Sequence, residues 1–121
     1  MSRAALDYFG SLIATRVRDE AIRDWDMILD GGMKDSDSQA IRARIDRLQM
    51  SGAALELLSD LIPRIVDTTL HHLLWTLEQE ESLDVAVRIE SGVVSNLREV
   101  SDGLAGELCE WIPRFSKERH S

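Results

Sequence analysis

A mainly α fold, a small bundle of four to five helices around a central helix at residues 60–80, follows from three features of the 121-residue sequence. Apolar side chains recur at spacings of three and four along most of the chain. Between Leu55 and Leu77 they cover much of the helical circumference, as in a helix surrounded by others. Residues 83–95 show alternation instead, which predicts a β-hairpin added to the helices. With 44% hydrophobic residues the chain can bury a core without disulfide or metal, and residues 1–121 read as a single helical domain.

The first helix spans roughly Arg3–Leu29. Ala5, Phe9, Leu12, Ile13 and Val17 form its apolar stripe, which Ile22, Trp25, Ile28 and Leu29 resume. Arg16–Glu20 and Asp19–Arg23, each four apart, are expected to pair on the exposed face. Gly31 and Gly32 supply the left-handed residue that closes such a helix. Gly10 sits inside it, at a cost of about 1 kcal/mol relative to alanine. Ser36 and Gln39 make a capping box for a second helix, which Ser51-Gly52 ends. That helix has one apolar stripe (Ile41, Ile45, Leu48) and carries Arg42, Arg44 and Arg47, so it belongs on the outside.

Pro63 lacks an N–H and clashes with the preceding turn, so it is expected in a first turn. The reading is a short helix near Ala53–Ser59, then the long central helix from about Asp60 to Glu80. Beyond it, Leu83, Val85, Val87 and Ile89 alternate with Asp84, Ala86, Arg88 and Glu90. Glu90-Ser91-Gly92 make the turn, and Val93-Val94 the return strand. The same residues also fit a helical run, but β-branching and Gly92 favour the hairpin. Asn96–Lys117 reads as helix, divided at one or more of Gly103, Gly106 and Pro113. Asp60–Ile65 and Glu110–Phe115 echo each other, as two acidic-capped helical turns started by proline.

The formal net charge of −8 argues against nucleic acid, whose phosphates such a chain would repel, and against an anionic membrane surface. Nine acids meet eight bases in residues 1–50, twelve meet three in 51–110, and one meets three in 111–121. Glu78, Glu80, Glu81 and Asp84 cluster at the C-terminal end of the central helix, where the macrodipole prefers cations. Acids at an unfavourable place suggest a docking patch for a basic protein. No apolar run is long enough to span a bilayer, and Met1–Asp7 lacks a signal-peptide core. A lone cysteine, Cys109, fits a reducing, cytoplasmic setting.

The densest polar group on the central helix is Asp67, His71, His72 and Glu78. Asp67 one turn before His71 can orient an imidazole or share a metal, although HExxH, CxxC, phosphate-loop and nucleophile-elbow motifs are all missing. Cys109 lies among apolar residues beside Glu107 and Glu110 and reads as core packing. Trp25, Trp75 and Trp111 each fall on an apolar stripe and read as core. The expected function is a small acidic protein-binding module without cofactor, contacting its partner through Glu78, Glu80, Glu81 and Asp84. A concrete version is an immunity- or antitoxin-like inhibitor that covers a basic nuclease toxin. The alternatives are a metal-binding, hydrolytic or isomerising enzyme centred on Asp67, His71 and His72, or a homodimer completed by the hairpin or central helix.

Overall fold

One helical rod occupies the first quarter of the chain: α1 (Ala4–Leu12), a π-helical turn (Ile13–Arg18) and α2 (Asp19–Asp30). The computed structural model describes residues 3–90 and 92–121. Ala5, Leu6, Gly10, Ile13 and Ala14 are buried, close to the predicted stripe. The wider π turn then shifts the helical phase by about one residue. Val17, expected inside, is exposed, and Arg18 and Asp19 are buried in its place. Asp19 therefore does not pair with Arg23, which reaches Glu118 at 3.0 Å instead. Gly31 closes α2 at φ 82°, as predicted.

Helix α3 (Ser36–Leu48) lies outside against α2, burying Ser38 and Ile45. Its cap stands one residue before the predicted box. The Asp35 carboxylate accepts from the Ser38 hydroxyl at 2.9 Å and from the Ser38 N–H at 3.1 Å. These donors, the hydroxyl foremost, hold the Asp35 carboxyl below the usual carboxylate range. The Gln39 amide turns away to the carbonyls of Gly31 and Met33. Gln49, left-handed at φ 50°, ends α3. Ser51, read as part of that ending, instead caps the next helix by accepting from the Ala54 N–H.

Helix α4 (Gly52–Gln79) is continuous over 28 residues, not split before Asp60. Pro63 is buried in its interior, and its missing N–H leaves the Ser59 carbonyl without the usual donor. Arg119 supplies one. Its Nη2 donates to Ser59 O at 2.7 Å, while both Asp26 oxygens hold the guanidinium at 2.8 and 2.9 Å. The hydrogen bond to Asp26 also raises the Arg119 pKa above its ordinary value. An arginine from the far end of the chain thus makes an interior proline tolerable.

Strands β1 (Ala86–Arg88) and β2 (Val94–Asn96) pair antiparallel with Val87 opposite Ser95, forming the predicted hairpin. Gly92 takes φ 81° in its turn, and Ser91 lies outside the described residues. Short α5 (Leu97–Val100) leaves β2 directly, and α6 (Leu104–Phe115) follows. The predicted 96–117 helix is therefore divided at Ser101–Gly103, while Gly106 and Pro113 lie within α6. Neither echoed proline starts a helix.

The core gathers α1, α4, the hairpin, α5 and α6 around Trp111, with Leu6, Leu70, Leu74, Val87, Leu97, Leu104 and Leu108. Phe9 meets Trp111 edge to face at 5.8 Å. Gly10 is the residue that lets α6 approach: a Cβ there would sit 2.5 Å from Trp111 Cδ1. Gly10→Ala should therefore destabilise the fold by about 1–3 kcal/mol in urea denaturation, despite alanine's better helix propensity. An unchanged or raised midpoint would contradict this packing.

Candidate functional site

Asp67 does not orient His71. Its carboxylate is held by Arg18, with Nε donating to Oδ1 at 2.6 Å and Nη2 to Oδ2 at 3.1 Å. Arg18, wholly buried, also donates to Ser116 Oγ and to the Arg119 carbonyl, both at 2.8 Å. Asp19 accepts from Ser116 Oγ at 2.5 Å and from the Lys117 N–H at 2.8 Å. His71 and His72 are exposed, with ring centroids 5.5 Å apart. Among the described residues, no three His, Cys, Asp or Glu side chains are placed to hold a metal ion. The grouping of Asp67, His71 and His72 is not assembled, because the π turn brings an arginine to the aspartate.

The four acids of the predicted docking patch have different surroundings. Glu78 is half-buried, and its Oε1 accepts from the Ala105 N–H at 3.2 Å, at the N-terminus of α6. A carboxylate there complements the positive end of that helix. Gly103 at the start of α6 leaves room for it, since a Cβ there would lie 2.9 Å from Glu78 Oε2. Glu80 accepts from the Ser82 hydroxyl, Asp84 lies 3.9 Å from Arg98, and Glu81 is exposed. The cation that the C-terminus of α4 requires is Arg98, whose Nη2 donates to the carbonyls of Leu77 and Glu80.

A second acidic feature appears only in three dimensions. An open trench of about 500 Å³ runs between α4 and α6, lined by His71, Trp75, Glu78, Asp102, Glu107, Glu110 and small residues at 103, 105 and 106. Nothing lies within 4 Å of the Cβ position at Gly106, so its lack of a side chain keeps the floor open. Glu107 accepts from Arg3 Nη2 at 3.0 Å and from Ser101 Oγ at 3.2 Å. Asp102 and Glu110 are exposed and have no ion pair among the described residues. Trp75, half exposed, forms part of the wall. Sequence reasoning found Glu78 but missed Asp102, Glu107 and Glu110. The available signal was nine acids against two arginines in residues 78–110.

Of the three tryptophans, only Trp111 is core; Trp25 and Trp75 are exposed. Cys109 is exposed too, because α6 turns Leu104, Leu108 and Trp111 inward and the residue after Leu108 falls about 100° away. Arg42 is tied to the Leu29 carbonyl and to Asp46, whereas Arg44 and Arg47 remain without ion pairs among the described residues. Among the described residues, no helix is long and apolar enough to cross a membrane. Comparison with protein families, curated proteins and solved structures finds no match to this chain.

Glu78→Ala should lower stability by about 0.5–2 kcal/mol, the scale of a lost helix cap, whereas Glu81→Ala should change it by less than about 0.5 kcal/mol. Equal effects in thermal denaturation would show that Glu78 does not cap α6.

Proposed function

We propose that this chain is a small acidic protein-binding module that receives a basic segment of a partner protein in the trench between α4 and α6. The observation supporting it is the convergence of Glu78, Asp102, Glu107 and Glu110 beside a half-exposed Trp75, with His71 as the only basic side chain in the lining. An arginine entering there pairs with Asp102 or Glu110, neither in an ion pair among the described residues, and stacks on the indole, two contacts that favour guanidinium over ammonium. Glu80, Glu81 and Asp84 extend the negative field beyond the end of α4 and steer a basic partner toward it. The finer form of the proposal is an immunity- or antitoxin-like inhibitor covering the basic active site of a nuclease. The chain's size and net charge of −8 agree with it.

Titration with an arginine-rich nonapeptide, followed by tryptophan fluorescence, tests the trench. Asp102→Asn combined with Glu110→Gln is expected to weaken binding about tenfold, and raised salt should weaken it further. Removing two charges elsewhere, with Asp24→Asn and Asp30→Asn on α2, should leave affinity within about twofold. Equal losses in the two double variants would reduce the interaction to bulk charge and overturn the trench.

A further inference from the structure

Helix α4 is not enclosed on every side. Because α3 packs on α2, an apolar cleft of about 470 Å³ opens between α2, α3 and α4, with Trp25, Ile45, Leu58, Ile62 and Val66 among its walls. Along its lip Leu57, Leu61 and Ile65 stand one turn apart, 59%, 40% and 61% exposed. Three large aliphatic side chains in a row, so open to water, form a contact face.

We infer that the occupant of this face is a second copy of the chain, packed antiparallel along α4 about a two-fold axis near Leu61. The face is separate from the α4–α6 trench, so this inference goes beyond the proposed function and does not depend on it. The charges beside the apolar row select the occupant. Glu56, Asp60 and Arg64, each one residue before Leu57, Leu61 and Ile65, form the flanking row. Asp60 and Arg64 are exposed, and neither is in an ion pair among the described residues.

When identical helices pack antiparallel, each flank meets the same flank of its copy, and the contact is self-complementary. A two-fold near Leu61 sets Leu57 against Ile65 of the second copy and Leu61 against its counterpart. The same operation sets each Arg64 between Asp60 and Glu56 of the second copy, so that the two arginines offset the two Asp60 carboxylates that approach across the axis. A parallel pair would instead face this charged row with the opposite flank, Leu58, Ile62 and Val66, leaving all six of its charges without partners across the interface. Charge pattern and apolar row therefore agree on one orientation.

Sedimentation equilibrium of the full chain, from about 1 to 100 μM, measures the association. The expected mass rises from 13.7 kDa toward twice that value. Leu61→Glu should hold the chain monomeric with the parent's helical circular-dichroism spectrum, and its thermal midpoint should no longer rise with protein concentration. Asp60→Arg and Arg64→Asp should each weaken the dimer about 3- to 10-fold, and the two combined should restore it. A monomer at 100 μM would overturn the proposal, as would a dimer indifferent to Leu61→Glu or an exchange without rescue. A monomer stabilised by dodecanoate, with the effect lost in Arg44→Ala, would also overturn it and assign the cleft to an amphipathic carboxylate.

Discussion

An arginine with no solvent contact has to find every partner inside the protein, and Arg18 draws its partners from distant parts of the chain. Asp67 comes from the middle of α4, while Ser116 and the Arg119 carbonyl come from the segment after α6. Asp19 beside it collects the Ser116 hydroxyl and the Lys117 N–H. A buried charge is tolerated only when such contacts are complete, and removing one partner of a buried pair typically costs about 3–5 kcal/mol. This requirement sets the register of the first helical rod against α4 and draws the C-terminal segment back across both. The π turn belongs to the same constraint, since it brings Arg18 and Asp19 inward where regular spacing would bring Val17.

Along α4 the same principle recurs at a smaller scale. Its backbone irregularities are served by side chains from elsewhere: Arg119 at the carbonyl opposite Pro63, and Arg98 at the C-terminal carbonyls. In return Glu78 caps α6. These contacts determine what α4 leaves uncovered. On the side of α6 it borders the acidic trench, and along the lip of the cleft beside α2 and α3 it presents Leu57, Leu61 and Ile65. A basic segment and a second copy of the chain would accordingly occupy different surfaces of one helix.

The helical class, the central helix, the outer position of α3, the Gly31 stop and the hairpin were all legible in the sequence, because each is written in local periodicity or turn chemistry. The misreadings share a cause. Val17 against Arg18, Pro63 inside α4, and Asp67 with Arg18 instead of His71 are decided by contacts between residues about 50 to 100 positions apart, which no local pattern reports. Trp25, Trp75 and Cys109 failed for a related reason, since an apolar residue on a helix says nothing of whether a neighbour arrives to cover it. Of the trench, the excess of acid was visible, but its assembly from α4, the 101–103 connection and α6 was not.

A double-mutant cycle on Arg18→Met and Asp67→Leu, followed by urea unfolding, tests most directly whether the buried pair organises the fold. Each single variant should lose about 2–4 kcal/mol, since Asp19 and Ser121 compensate only part of the lost pair, and the double variant should lose much less than the sum. Additive losses would contradict the account, as would single variants as stable as the parent.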